Sequence, residues 1–451
     1  MKRKIYSRIL EWKKLTKGKT ALLIQGARRV GKSYIAEEFA KKEYESYLIV
    51  DFSIAPPEVI DLFKNYRHKI DFLLERLQLI YGVKLHERHS LIIMDEVQFC
   101  PEARASVKQL VADGRYDYIE TGSLISIKQN VRDILIPSEE ESIDMFPMDF
   151  EEFLWAKGET MLSEFIRRQF QQKEALGPSL HRRALTLFRE YLSVGGMPQA
   201  VESFVKEGDF NAVEKIKRNI IELYRADISK FAYGESHKVK AIFDEIPGQL
   251  QHHETKFKLS SLTKEARMRN YKDAFFWLSD AYIINCCYNS TAPNIGLRLN
   301  ENRTSMKCYM GDTGLLVSMA FDEKGEDAND IYRKIVLGKL EVNEGMLMEN
   351  IVAQMFRASG HRLYFYSRKD NKDSSNTMEI DFLLAKSKLS SRHNIIPIEV
   401  KSGKRYTYTS LEKLKQKYER FISTPVILHD KDLKEERGIL FLPLYMAGFM
   451  K

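Results

Sequence analysis

Four short apolar runs punctuate the first part of the chain, at residues 20–25, 47–52, 90–94 and 116–119. Each is rich in Ile, Leu, Val or Tyr, is too short for a helix and stops at a polar residue, as strands buried on both faces of a parallel sheet do. Helical stretches such as 34–42 lie between them, and this alternation predicts a doubly wound α/β domain over residues 1–148. From 149 to 235 the apolar positions recur at helical spacing and predict a small helical lid, broken at Val194-Gly195-Gly196-Met197-Pro198. Arg225 and Asp227 in this stretch read either as a solvated face or as contributors to a nucleotide site.

Residues 236–330 combine short helical patterns with a helix at 271–284, then β-rich segments at 285–288 and 307–312 separated by a Pro/Asn/Gly turn. That order predicts a winged helix. Its basic residues Lys264, Arg267, Arg269 and Lys272 suit phosphate contacts, although a winged helix used only for packing fits the same pattern. The acidic stretch 322–330 reads as an exposed linker. Residues 331–451 predict an αβββαβ order: a helix over 345–359, strands at 363–367, 379–384 and 395–401, a helix over 409–421 and a strand at 425–429.

At 451 residues the chain exceeds one ordinary core, and roughly 150 residues per domain suggests about three units. A hydrophobic fraction of 44% with 30% charged residues supports folded domains rather than disorder. No run approaches the ~18 apolar residues of a membrane helix, and the most apolar one, 438–450, contains Pro443. The first residues, MKRKIYSRILEW, lack the apolar core of a secretory signal, so a cytoplasmic protein with no membrane partner is expected. Cys100, Cys286, Cys287 and Cys308 are scattered without CxxC spacing and read as reduced core thiols. The excess of 71 Lys and Arg over 63 Asp and Glu gives +8, which permits a nucleic-acid partner without demanding one.

The first apolar run leads into Gly26-Ala27-Arg28-Arg29-Val30-Gly31-Lys32-Ser33 and then a helix starting at Tyr34, the GxxxxGK[ST] arrangement of a phosphate-binding loop. The glycines allow the turn and close backbone approach, and the amides of residues 26–34 at a helix N-terminus attract phosphate. Lys32 reaches the β- and γ-phosphates, and Ser33 ligates Mg²⁺. The third run delivers Asp95 and Glu96 at its carboxyl end, as a Walker B strand does, with Asp95 on the metal and Glu96 on the attacking water. Strand alternation would point these two side chains to opposite faces. The fourth run ends in Glu120-Thr121-Gly122-Ser123, where Thr121, or Ser123 in its stead, can sense the γ-phosphate. The cofactors expected are ATP and Mg²⁺.

A second constellation lies near the C-terminus. Glu349 shares a helix face with Val352, Ala353 and Phe356, so its carboxylate points inward. Asp381 lies on one strand, and strand parity places Glu399 and Lys401 together on one face of the next. Three hard oxygen donors suit Mg²⁺ or Mn²⁺, and Lys401 can orient or deprotonate a water for attack on a phosphodiester. This is the D…ExK pattern of restriction-endonuclease-like nucleases, though an ion pair of Lys401 with Glu399 or Asp381 is the plain alternative. Residues 401–420 hold seven Lys or Arg (401, 404, 405, 413, 415, 417, 420) against Glu412 and Glu419, with Tyr406, Tyr408 and Tyr418 between, which fits a phosphate-binding face or a solvated helix.

Taken together, GARRVGKS at 26–33, LIIMDEVQ at 91–98, ETGS at 120–123, FPMDFEEFL at 146–154, YLSVGGMPQA at 191–200, KCYMGDTGL at 307–315, EGMLMENIV at 344–352, EIDFLL at 379–384 and IPIEVKSGK at 396–404 give the chain its character. It resembles a prokaryotic family of AAA-type ATPases, close to the signal-transduction ATPases, that join a P-loop domain to a C-terminal domain of uncharacterised function with a restriction-endonuclease-like fold. Such relatives carry Gly-Arg just before the FPMDFEEFL stretch; here 138–142 is SEEES, and Arg132 is the candidate substitute. AAA-type relatives place an arginine of one subunit in the next subunit's ATP site, which implies a homo-oligomer, but no arginine here is assigned that role. The function expected is an ATPase coupling Mg-ATP hydrolysis to nucleic-acid binding or processing, DNA favoured over RNA. The contrasting class is a nucleotide-dependent regulatory or scaffold module with an inactive nuclease fold.

Overall fold

The computed structural model describes residues 1–122, 138–232, 234–252, 256–294, 296–321, 328–339, 344–369, 377–386, 393–403 and 406–450. Ser123, Arg132, Lys404, Arg405 and residues 322–327 of the acidic stretch lie outside the described residues. The chain divides into two compact units, Met1–Phe146 and Pro147–Lys451.

The first unit starts with α1 (Ile5–Thr16), β1 (Ala21–Gly26), α2 (Lys32–Glu43) and β2 (Ser46–Asp51). It continues through α3 (Pro57–Tyr66), α4 (Ile70–Tyr81), β3 (Ser90–Asp95), α5 (Pro101–Asp113), β4 (Asp117–Gly122) and β5 (Glu140–Met145). The strands form one sheet in the order β2-β3-β4-β1-β5, every neighbouring pair parallel. The central strands β1, β3 and β4 are buried along their whole length, which is why they read as unbroken apolar runs. The edge strand β5 is EESIDM, and it lies in the acidic stretch that shows no apolar signal in sequence.

The second unit opens with helices: α6 (Phe150–Ala156), α7 (Thr160–Gln172), α8 (Pro178–Val194), α9 (Pro198–Glu207), α10 (Phe210–Phe231), α11 (Ser236–Gln251) and α12 (Met268–Asp280). Then come β6 (Ile284–Ser290), β7 (Glu301–Met310), α13 (Thr313–Ala320), α14 (Ala328–Val336), α15 (Glu344–Ala358), β8 (Leu363–Arg368) and β9 (Met378–Ala385). It ends with β10 (Ile395–Val400), α16 (Thr409–Lys417), β11 (Val426–His429), β12 (Lys434–Glu436) and β13 (Ile439–Pro443). Its eight strands form one sheet, β12-β13-β11-β10-β9-β8-β6-β7. The hairpin β6–β7, expected as the wing of a separate 236–330 domain, joins that sheet by parallel pairing of β6 with β8. Residues 149–235 likewise share a core with the C-terminal segment: Phe150 and Phe188 pack on Tyr445, and the Tyr445 hydroxyl lies 2.8 Å from His181 Nδ1. The expected divisions at 235 and 330 therefore run through continuous packing.

Three motifs of this unit meet in one buried polar seam. The Asp312 carboxylate accepts the amide N–H groups of Gly196 at 2.6 Å and Leu315 at 3.0 Å. Gln354 accepts from the Thr313 amide at 2.7 Å and donates to the Tyr191 hydroxyl at 3.1 Å. Tyr191 in turn donates to the Met148 carbonyl at 2.8 Å, and the Met148 amide donates to Gly196 O at 2.7 Å. Lys217, fully buried, donates to Ser193 O, Gly314 O and the Tyr332 hydroxyl at 2.8, 3.1 and 2.6 Å. Burial lowers its ammonium to about 8, against the opposing charges of Glu214 and Asp312. Glycine is required at the crossing: a Cβ on Gly195, whose φ is +82°, would lie 2.2 Å from Asp312 Oδ1, and one on Gly314 would lie 2.3 Å from Val194 O.

This packing sets the cost of substitutions at its glycines. Gly195→Ala should cost about 3 kcal/mol or more, since the side chain meets both a disallowed φ and a buried carboxylate. Gly208→Ala, at φ +67° with open space around it, should cost only about 1 kcal/mol; denaturant unfolding followed by circular dichroism compares the two. His429 is buried on β11 with its Nδ1 2.9 Å from the Tyr406 hydroxyl, and burial lowers its pKa to about 4. A depressed folded-state pKa means stability that is present above pH 6.5 and lost as pH falls through 4. His429→Asn should therefore flatten that part of the pH profile of the unfolding midpoint.

Candidate functional site

The geometry of the first unit follows from its strand order. Because β4 inserts between β1 and β3, the carboxyl ends of the loop strand, the Thr121 strand and the Asp95 strand stand side by side, with Ile24 level with Thr121 and Met94 level with Glu120. The loop of residues 27–31 turns through left-handed backbone at Arg29 (φ +67°) and Gly31 (φ +97°). Gly26 passes so close to β5 that a Cβ would lie 2.2 Å from Met145 O. Lys32 and Ser33 open α2, whose first N–H groups face the loop and favour an anion. Ala27, Val30 and Lys32 are buried, while Arg28, Arg29, Ser33 and Tyr34 are exposed. Lys32 donates to the carbonyls of Gly26 and Ala27 at 3.1 and 3.0 Å, so its ammonium is held inside the loop.

Three of the predicted residues converge on one oxygen. Ser33 donates to Asp95 Oδ1 at 2.8 Å, and Thr121 donates to the same atom. Burial raises the Asp95 pKa; the two hydroxyls oppose it, and the charges of Glu96 and Asp51 reinforce it. A buried carboxylate beside a serine hydroxyl, burdened by two neighbouring negative charges, is a donor set that a hard divalent cation relieves, so Ser33 and Asp95 fit Mg²⁺. Glu96 departs from the expected strand alternation. Strand β3 ends at Asp95, and Glu96 sits beyond it at φ +53°, a left-handed conformation that costs roughly 1–2 kcal/mol in a non-glycine residue. Its amide donates to Thr121 Oγ1 at 3.4 Å, and its carboxylate accepts from Gln98 Nε2. The left-handed turn, not the pleat, separates the two acids.

Arg3 belongs to this site although no motif marks it. Its guanidinium donates to Val30 O at 3.1 Å and to Phe146 O at 2.7 Å, tying the loop to the chain beyond β5. Glu120 is fully buried on the face of β4 opposite Thr121, near Arg104, which pairs with Glu140 at 2.8 Å. Burial raises both carboxyls, and their charges raise Glu120 further. Arg225 pairs within the second unit, with Glu222 at 2.6 Å and Asp244 at 3.0 Å.

In the second unit two of the predicted acids, Glu349 and Asp381, join Glu379 around a lysine that sequence reasoning passed over. Lys307 Nζ on β7 lies 3.2 Å from Glu379, 3.6 Å from Glu349 and 3.9 Å from Asp381. In a flat sheet the three strand spacings from β7 to β9 would span roughly 14 Å, beyond a lysine's reach. Pairing shifts register at Tyr288/Asn289 between β6 and β7 and at Tyr364/Tyr366 between β8 and β9, so the ladder between them is not regular. Burial raises the Asp381 pKa to about 7, Glu349 adds to the rise, and Lys307 opposes it. Glu399 is paired instead with Lys401 at 2.7 Å, the plain ion pair that strand parity allowed. Among the described residues no three His, Cys, Asp or Glu side chains gather so as to hold a metal ion. Tyr406, Tyr408 and Tyr418 pack against the core beneath α16 rather than standing free for base stacking.

Residues 18–154 match the model of the AAA domain. The first unit thus carries an AAA-type P-loop ATPase domain. Residues 185–326 and 344–446 match two domains of unknown function, DUF8612 and DUF4143, and these meet in the single eight-stranded sheet. No curated protein sequence matches the chain. Among solved structures, the Walker-type ATPase PABY2304 of Pyrococcus abyssi is similar at 14% identity and a TM-score of 0.43, over 70% of this chain and 95% of that one. The Aeropyrum pernix ORC1 protein in complex with DNA is similar at 10% identity and a TM-score of 0.29, over 71% and 93%. Likenesses this distant add nothing about function. No helix among the described residues is long and apolar enough to cross a membrane, and the four cysteines are free thiols.

Removing the Arg3 tether should loosen the loop without unfolding the unit. Arg3→Gln is expected to weaken ATP binding roughly tenfold, the scale of one charge-assisted hydrogen bond, with an unchanged circular dichroism spectrum; calorimetric titration with ATP measures it.

Proposed function

We propose that the protein is an Mg-ATP hydrolase that couples nucleotide turnover to binding of nucleic acid, DNA in preference to RNA, by its second unit. The observation that carries the ATPase reading is the convergence of Ser33 and Thr121 on the buried Asp95 carboxylate, beside a loop that already holds the Lys32 ammonium. In this reading residues 26–34 wrap the phosphates and Lys32 neutralises charge on the γ-phosphate. Ser33 and Asp95 hold Mg²⁺, Glu96 polarises the attacking water, and Thr121 reports the γ-phosphate through Asp95.

Two features support the nucleic-acid reading. The order α15-β8-β9-β10-α16-β11, with β8, β9 and β10 antiparallel and β11 parallel to β10, is that of restriction-endonuclease-like domains. Helices α11 and α12 lead into the β6–β7 hairpin in winged-helix order, with Lys264, Arg267, Arg269 and Lys272 exposed. A second reading, a nucleotide-dependent scaffold whose nuclease fold is inactive, is favoured by the Lys401–Glu399 ion pair, which engages the lysine that cleavage would need. Assembly into a homo-oligomer, with an arginine from a neighbouring copy completing the ATP site, is part of the proposal and is read from the mass in solution with ATP.

Lys32→Ala should abolish nucleotide binding, whereas Glu96→Gln should keep binding and lose turnover by roughly 10²-fold or more. Unchanged ATP affinity in Lys32→Ala would remove the site assignment. Gel shifts at low and high salt separate the two readings: phosphate-driven binding weakens steeply with salt, and no binding at any salt favours the scaffold.

A further inference from the structure

The metal that a restriction-endonuclease-like fold implies does not fit the carboxylates of the second unit as they stand, because a lysine of the chain already lies among them. We propose that the ammonium of Lys307 is the resident cation of this site, in place of a divalent metal, so that the second unit binds its partner without cleaving through a metal. This rests on the nuclease-like reading of the fold given above.

Lys307 is held where a metal would be. Its side chain is 8% exposed, and Nζ faces Glu379, Glu349 and Asp381 within 3.9 Å. An ion coordinating any of these oxygens at about 2.1 Å would lie close to the ammonium, with no water between to screen the repulsion. The lysine comes from β7, outside the αβββαβ order, so the hairpin inserts it into a site assembled by other strands. The neighbouring donors are arranged for the same occupant. Tyr309, two residues along β7, donates to Glu349 Oε2 at 3.0 Å, and the Val400 amide donates to Asp381 Oδ2 at 2.8 Å, so Glu349 and Asp381 are each oriented by a second contact.

The test is a nucleotide-free titration of the full-length protein with Mn²⁺, the free ion followed by electron paramagnetic resonance. Wild type should show no Mn²⁺ site that Asp381→Asn removes, and Lys307→Arg should match it. Lys307→Gln should gain one site, at least about tenfold tighter than any such binding in wild type, and lose it again when Asp381→Asn is added. Mn²⁺ should raise the thermal midpoint of Lys307→Gln and leave that of wild type unmoved. A wild-type site that depends on Asp381 overturns the proposal, as does a folded Lys307→Gln variant that gains none. Should Lys307→Gln not fold, the wild-type and Lys307→Arg titrations decide alone. Gel shifts in EDTA keep the two ideas apart. DNA binding that survives EDTA supports both, and binding abolished by EDTA overturns the resident lysine while leaving the nucleic-acid reading. A complete lack of DNA binding, with the Mn²⁺ results as expected, overturns only the latter.

Discussion

The second unit depends on the buried crossing where Gly195 meets Asp312. A carboxylate taken out of water costs several kcal/mol unless its lone pairs are filled, and here two backbone amides and the Gln354 side chain fill them. Those partners come from three distant parts of the chain, residues 195–196, 312–315 and 354, so the same hydrogen bonds that solvate Asp312 specify how α8, α13 and α15 lie together. Lys217 extends the constraint from the other side, gathering Ser193 O and Gly314 O around one ammonium. Apolar packing alone would tolerate sliding of these helices; a fully satisfied buried network does not. The β6–β7 hairpin that carries Lys307 belongs to the same packed unit, joined to it by the β6–β8 pairing.

The first unit is organised by strand order rather than by a polar seam. Had β3 lain directly beside β1, Asp95 and the loop would be neighbours without an intermediary. With β4 between them, Thr121 is interposed at the same level and its hydroxyl shares an Asp95 oxygen with Ser33. A change at the phosphate side of Ser33 is thus felt one strand further along, through a carboxylate that burial already disfavours in its charged form.

Much of the first unit was legible because its physics is local. Buried parallel strands need continuous apolar runs, and a phosphate loop needs glycine and lysine at fixed spacing, so β1, β3, β4 and residues 26–33 show in the sequence alone. Strand β5 did not, because an edge strand can be written EESIDM when its outward side chains reach water or, as Glu140 does, an arginine. Glu96 was placed by strand alternation, which ceased to apply one residue earlier. Arg3 carried no signal, since its partners are backbone carbonyls that any sequence supplies. In the second unit the order αβββαβ was visible, but the packing that crosses 235 and 330 was not, because the β6–β8 pairing and the Phe150–Tyr445 contact are long-range and leave no periodic trace. Lys307 lay in view within KCYMGDTGL, yet only the folded chain brings it within 3.9 Å of three acids.

Both units bury a lysine at the centre of their polar residues, and the contrast between them is one of charge balance. Around Lys32 the acceptors include the carbonyls of Gly26 and Ala27, which carry partial charge only, and the ammonium stands next to a helix N-terminus. That is an arrangement completed by an anion from outside. Around Lys307 the acceptors are three carboxylates, so the cation is more than neutralised before any ligand arrives, and the surplus is negative. A phosphate has no electrostatic reason to approach that cluster, and a metal would have to displace a tethered ammonium to enter it. Exposed basic residues lie elsewhere on this unit, on α12 and along α16. The carboxylate cluster and Lys307 thus fasten the hairpin to the sheet.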